Sequence, residues 1–497
     1  MRLPKMVTCA CAIALASTSA WGGGFDLPDN GAEPMGRGGT FTAKADSPLA
    51  LYYNVAGLAR QRGTRVLLDG NLVLHDIAFT RDGTYPAATG NPSWVGKPYP
   101  TQHTSDSLFA IPFFGLSTDF GYFKRWTFAI GAFGPPGVGR NNYGVNTKGS
   151  EVATVRLSDG TMAPAPGRYD VTRTDLLIIY PTLAVGVAPM KWFDLGLAVH
   201  AVYASFDLAN ANVTRISNTA CLSVQDPNCD AYGNIKAHGW SWGMTASAMV
   251  HPTPWLDIGL SFRPQIDVHA GDSNDVNGGG KIVASPPPAL MVALPDAPVS
   301  FNTMLPNILR AGVRYVNRYS DDTERFDVEL DATWENWSKQ TDRWGKKWDD
   351  YDKPDDYKPD VIHSGNFMLG AGGELKVDLN HQYKDTFGLR LGGAYNHRLS
   401  DRSRLIGRLG FYYDSAATAP ANTRLDFNTV EKYAATIGGG IHWRGLTVNL
   451  AYAFVFSPPR TVTNSAVTAV DSNFGTSYPD GYPSRPSETA ATNTPPT

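Results

Sequence analysis

The chain has 497 residues and nearly balanced charge, with 43 Lys+Arg against 46 Asp+Glu for a net of -3. That balance lacks the basic excess that nucleic-acid binding needs, so no nucleic-acid partner is expected. Gly is frequent at 50 and Pro at 35, and aromatics make up 11% with 12 Trp.

Residues 1–20 read as a secretory signal. Arg2 and Lys5 form the charged start, Met6 to Ala16 the short apolar run, and Thr18-Ser19-Ala20 the small residues of a cleavage site. Cys9 and Cys11 lie inside the apolar run and leave with it. Beyond it no apolar stretch reaches the about 18 residues that a spanning helix requires, so a membrane crossing has to use strands.

Residues 21–64 do not alternate. They run through Gly22-Gly23-Gly24-Phe25, Gly36-Arg37-Gly38-Gly39, Ala43-Lys44-Ala45-Asp46-Ser47-Pro48 and Leu51 to Leu58. A small, Gly/Ala-rich segment ahead of the first strand suits a plug inside a lumen.

From residue 65 onward period-two alternation dominates. Thirteen strands are expected near 65–78, 106–118, 124–136, 170–187, 192–207, 236–250, 255–268, 306–317, 323–338, 384–397, 403–415, 431–443 and 445–457. Phe326, Val328, Leu330 and Ala332 oppose Asp327, Glu329 and Asp331; Leu389 and Leu391 oppose Arg390 and Gly392; Ile437 and Ile441 oppose Gly438 and Gly440. One apolar face against one of charge and glycine fits a sheet with lipid outside and a polar or filled lumen inside. Trp126, Trp192, Trp255, Trp334, Trp337 and Trp443 stand at strand ends, where an aromatic girdle belongs.

Short turns near 119–124, 188–192, 251–255, 317–324, 398–403 and 443–446 alternate with long polar connections near 78–105, 138–168, 209–235, 270–304, 339–383 and 416–431. This is the pattern of short periplasmic turns and long external loops. Residues 366–377 are read as part of an elaborated loop, because a spanning strand there inverts the pattern that follows. Bacterial barrels have even strand counts, so a fourteenth strand has to return. Either Ala466 to Tyr478 supplies it poorly, or the chain is truncated. The expectation is an all-β, antiparallel up-and-down membrane barrel of fourteen strands over 65–458. The 21–64 segment is its hatch, and a polar Pro/Ser/Thr-rich tail covers 459–497.

At this point the chain resembles a family. Gly36-Arg37-Gly38-Gly39-Thr40-Phe41, Ala45-Asp46 and Ala50-Leu51-Tyr52-Tyr53-Asn54-Val55-Ala56-Gly57-Leu58 look like the N-terminal hatch of the FadL/TodX (OmpP1) outer-membrane transporters of long-chain fatty acids and aromatic hydrocarbons. Tyr180-Pro181-Thr182, Trp192 to Leu197, Gly239 to Gly243, Pro254 to Phe262 and Asp327 to Trp337 follow in family order. The resemblance implies a fourteen-stranded plugged barrel and passive uptake of hydrophobic ligands. It also marks a departure: the family's Asn-Pro-Ala is here Asn54-Val55-Ala56, and valine restores an N–H and frees φ.

Four groups of residues are candidates for function. Ala132, Phe133, Gly134, Pro135 and Pro136 end the third strand, where two prolines remove two ladder donors and force a break. This is either a strand end turning into loop or, as the family's kink implies, a lateral exit into the membrane. Arg310, Arg314, Asp327, Glu329, Asp331, Arg390 and Arg408 share the lumen face of consecutive strands. They form either a charge network anchoring the hatch or, through Arg310 or Arg390, a grip on a ligand carboxylate. Pro286 to Leu294 is apolar within a polar loop, suited to a landing surface or to packing on its own loops. Cys221 and Cys229 remain after processing and predict one short disulfide, with two free thiols the alternative.

His75, His200 and His442 sit singly, and no His/Cys cluster or phosphate loop implies a metal, a cofactor or an enzyme. A monomer in outer-membrane lipid, passing hydrophobic molecules, is the leading expectation. A general diffusion porin and an outer-membrane lipase are the alternatives.

Overall fold

The computed structural model describes residues 30–87, 92–105, 108–135, 140–146, 153–213, 226–271, 279–285, 297–339, 341–347, 361–364, 375–379, 381–427 and 429–465. The signal, the whole Pro286 to Leu294 stretch, Cys221, the Cys229 side chain, Pro136 and the Ala466 to Tyr478 segment lie outside them.

Thirteen antiparallel strands follow one another along one sheet. They are β1 (Thr64–Leu74), β2 (Leu108–Thr118), β3 (Trp126–Phe133), β4 (Arg173–Met190), β5 (Phe193–Val213), β6 (Asp230–Thr253), β7 (Leu256–Arg263), β8 (Asn307–Arg318), β9 (Glu324–Asn336), β10 (Thr386–Ser400), β11 (Ser403–Asp414), β12 (Lys432–Trp443) and β13 (Leu446–Phe456). Every neighbour in sequence is a neighbour in the sheet, as antiparallel strands joined by short turns permit. Val328, Leu330, Leu389 and Leu391 face outward at about half exposure, whereas Asp327, Glu329, Asp331 and Arg390 face inward and are buried. The outer surface is therefore apolar, and the ladders satisfy the backbone of the strands between β1 and β13, as lipid requires, whereas the outer edges of β1 and β13 have no ladder partner among the described residues.

Inside the sheet runs the hatch. It holds α1 (Ala32–Met35), α2 (Ala50–Tyr53) and a 3-10 helix, Val55–Arg60. The helix α1 touches β1, β12 and β13, and the 3-10 helix touches β3, β4, β5 and β6. The wall thus curls around the segment, which is almost wholly buried. Inward glycines make room for it. A side chain at Gly392 would lie 1.8 Å from the Arg37 carbonyl oxygen, and one at Gly196 would lie 2.3 Å from Ala56 N.

Two strands stop earlier than expected. β3 ends at Phe133 before Gly134-Pro135, and β7 ends at Arg263 before Pro264, because a proline cannot donate to the ladder. β5 and β6 run longer, to Val213 and from Asp230. The chain beyond β7 joins a separate four-stranded sheet of Ile266–Ala270, Ser300–Leu305, Val361–Ser364 and Leu375–Asp378. The last of these covers the end of the 366–377 stretch and pairs with loop, not wall.

Candidate functional site

The carboxylates of β9 hold the hatch. Glu329 Oε1 accepts from the Ala43 and Lys44 N–H groups at 2.7 and 3.2 Å, and Asp331 Oδ2 from those of Phe41 and Thr42, both at 3.0 Å. Arg37 donates to Asp327 at 2.5 Å and to Glu329 at 3.0 Å. Arg314 donates to Asp327 at 2.8 Å and to Glu324 at 2.6 Å. Arg408 reaches Glu33 of α1 at 3.2 Å. Arg314, Asp327, Glu329, Asp331 and Arg408 are thus all tied to the hatch or to its partners. These are charge-assisted bonds in a site shielded from water, where an unmade bond is costly.

Arg310 and Arg390 line one narrow pocket between the hatch and the wall, with Tyr52, Tyr53, Asp331 and Glu335. They differ in their partners. Arg390 donates to Asp414 at 3.0 Å and to Thr333 at 3.1 Å. Arg310 reaches only the Tyr52 carbonyl, at 3.4 Å, and lies 4.8 Å from the centre of the Tyr52 ring, with no carboxylate partner among the described residues.

Asn54, Val55 and Ala56 open the 3-10 helix. The extended Asn54 accepts from Ala56 N at 3.1 Å and donates to the Thr42 carbonyl at 2.7 Å, closing the hatch on itself. The Val55 N–H is used: it donates to Ser247 Oγ on β6 at 3.2 Å.

At β3 the wall is interrupted. Its last pairs are Phe133 with Phe113 on β2 and with Tyr180 on β4. The next pair on β4 is Asp175 with Arg140. Between these two pairs β4 has four residues, whereas the sequence between Phe133 and Arg140 has six, a mismatch in length that breaks the ladder. Behind the break Phe133 stacks on Phe113 at 5.4 Å and on Tyr180 at 5.6 Å, and meets Tyr52 edge-on at 5.7 Å. Asn30 of the hatch donates from Nδ2 to the Gly134 carbonyl at 2.8 Å, and Ala132 stays in the β3 ladder.

At the end that carries the long loops, Arg424 pairs with Asp170 at 2.7 Å and His381 with Asp426 at 3.0 Å. Burial pushes the Asp170 carboxyl above its ordinary range despite Arg424. For Asp426 burial pushes the same way, but His381 and Arg424 outweigh it and hold the carboxyl low.

Residues 13–478 match the family described as outer membrane protein transport protein (OMPP1/FadL/TodX). The chain belongs to that FadL/TodX family. Solved structures similar to it include a Pseudomonas aeruginosa FadL homologue (17% identity, TM-score 0.62, 89% of this chain and 93% of that one). The Pseudomonas putida toluene transporter TodX follows (16%, 0.59, 90% and 95%), as does the CymD monoaromatic hydrocarbon channel (16%, 0.53, 86% and 92%). At this identity the likeness carries the fold. No curated protein matches by sequence. This FadL/TodX member is an outer-membrane β-barrel of a family that transports hydrophobic compounds.

One expectation for this FadL/TodX barrel is corrected. Trp337 is not in the girdle: it is buried, and its Nε1 donates to Glu335 at 2.6 Å. Trp126, Trp192, Trp255 and Trp443 are about half exposed on the outside. The three histidines have side-chain partners, His75 with Asn141, His200 with Thr182 and Thr245, and His442 with Thr447. Among the described residues no group of His, Cys, Asp and Glu suits a metal ion. Arg37 and Tyr180 stand in the resemblance blocks but, like Asn30, were not among the candidates for function. Asp327, Glu329 and Asp331 alternating inward were the signal for Arg37, because three buried carboxylates demand donors from elsewhere.

Proposed function

We propose that this protein carries hydrophobic small molecules, long-chain fatty acids or aromatic hydrocarbons, passively into the cell. They would bind among the aromatic side chains under the hatch and leave sideways through the break in β3. One observation carries the reading: the ladder fails at Phe133 where an apolar cluster of Tyr52, Phe113 and Tyr180 lies behind it, while the hatch fills the lumen. A hydrocarbon gains by moving from that cluster into lipid without crossing water. The filled lumen disfavours a general diffusion porin. That TodX is a toluene transporter and CymD a monoaromatic hydrocarbon channel supports the cargo class.

The test is uptake of a monoaromatic hydrocarbon and of a long-chain fatty acid into vesicles. Replacing Pro135 and Pro136 by alanine restores two ladder donors. Uptake is then expected to fall by about tenfold while ligand binding persists. Unchanged uptake of both cargoes would refute the lateral exit.

A further inference from the structure

The wall has a second interruption, three strands along the sheet from the first. β7 keeps 8 wall residues, whereas β9, β10, β11 and β12 have 13, 15, 12 and 12. Above Arg263 and Ile308 the β7–β8 hairpin does not unpair. Its ladder continues through Ile266 and Leu305 in the same register, but the hairpin turns inward at Pro264 and Pro306. Two glycines on the inner face of β6 show how close it comes: a side chain at Gly239 would lie 2.1 Å from the His269 carbonyl oxygen, and one at Gly243 2.3 Å from Ile266. The turn leaves a notch beside β6. Trp240 and Trp242, which flank the notch, face outward at about half exposure, so this part of the wall looks onto the apolar, aromatic surface.

Two side chains close the notch: Ser241 Oγ of β6 donates to the Asp267 carbonyl at 2.6 Å, and Arg343 spans the two strands. The Trp242 carbonyl, on the side of β6 that β7 has left, accepts from Arg343 Nη1 at 3.0 Å. Arg343 also donates to Ser241 Oγ at 3.1 Å, to the Asp267 carbonyl at 3.2 Å and to its carboxylate at 3.3 Å. It lies 5.1 Å from the Trp242 ring centre. A planar five-donor guanidinium suits this place, since it replaces the missing ladder partner and can swing to the headgroup layer when released. Behind the clasp lie Ile266, Val268 and Phe301, fully buried and in the same apolar cluster as Tyr180 and Phe133. Arg263, the last residue of β7, sits 5.4 Å from the Tyr180 ring that stacks on Phe133.

We propose that this notch is a second side opening of the barrel, through which an apolar molecule dissolved in the outer leaflet enters when Arg343 releases β6. It rests on the transport reading above, and it supplies an entrance for the cargo that leaves at β3. The apolar cluster joins the two.

The experiment uses the full chain in lipid vesicles with Cys221 and Cys229 replaced by serine and Ile266→Cys as the reporter. Labelling is followed with a membrane-dissolved maleimide and with a charged, water-soluble one. Arg343→Ala is expected to speed labelling by the membrane-dissolved reagent about tenfold, the loss of one charged hydrogen bond being enough for that, and to leave the water-soluble reagent unreactive. If Arg343→Ala does not fold, Arg343→Gln is read the same way. Labelling that Arg343→Ala leaves unchanged, or that rises equally with both reagents, overturns the proposal. Hydrocarbon uptake by the parent protein is measured alongside. Its absence would sink the transport reading, while the labelling contrast still judges the notch.

Discussion

The Val55 N–H donates to Ser247 Oγ at 3.2 Å, fastening the start of the 3-10 helix to β6. A proline at this position could not make that bond, yet the extended Asn54 before it would accept one. Val55→Pro is therefore expected to fold and to lose one hydrogen bond. In a double-mutant cycle with Ser247→Ala, urea unfolding in detergent should show a coupling of about 1 kcal/mol. Strict additivity would mean that the bond contributes nothing.

Arg37 is fully buried between Asp327 and Glu329. Arg37→Met strands two carboxylates in the lumen and is expected to destabilise the barrel by about 3–5 kcal/mol. Adding Glu329→Gln should recover part of the loss. The midpoint of heat-induced migration change on gels reads both. A double variant no more stable than the single would remove the charge explanation.

Gly392 faces the Arg37 carbonyl, and a side chain there would collide with it at 1.8 Å. Gly392→Val is expected to displace the hatch and let sugars swell vesicles. Gly407, with nothing within 4 Å of its added carbon, is the control: Gly407→Val should leave the vesicles tight. Swelling in both would point to general damage.

Arg310 has no carboxylate partner among the described residues and lines the pocket between the hatch and the wall. If it grips a ligand carboxylate, Arg310→Gln should weaken long-chain fatty acid binding by about tenfold or more, a charge-assisted bond being at stake. Toluene binding should not move. Equal loss for both ligands would assign Arg310 a purely structural part.

The loop pair Asp170–Arg424 and His381–Asp426 predicts an asymmetric response to acid. The depressed Asp426 carboxyl stabilises the loop above its ordinary range, and that contribution is lost as pH falls through the lowered value. The raised Asp170 has the opposite sign: its contribution is present at low pH and lost as pH rises through the raised value. At neutral pH Asp426→Asn should therefore speed amide exchange at Leu425 and Phe427 more than Asp170→Asn does. The share of that protection owed to Asp426 should be complete above about pH 4 and fall away below it. A larger effect from Asp170→Asn would reverse the assignment.

Much of the wall was legible because strand alternation is local. Leu389 against Arg390, or Leu330 against Asp331, declares inside and outside within two residues. The lumen carboxylates were legible for the same reason. Their partners were not, because Arg37 lies 290 positions from Asp327 in a segment with no period to place it. Trp337 was misread because its neighbour Trp334 shares a strand-end setting, and only the turn after Asn336 directs the later ring inward. Pro264 carried a readable signal for the early end of β7. The alternation of Ile266, Asp267 and Val268 masked it by continuing the pattern into a different sheet.

The inward glycines bear on assembly. Where Gly392, Gly196 and Gly410 meet the hatch backbone within 2.3 Å of any added carbon, no clearance is left for sliding. A preformed cylinder could not be loaded afterwards with its contents. The hatch has to be in place as the hairpins zip up around it, so its correct folding comes before closure and a mutation there would appear first as a defect in biogenesis.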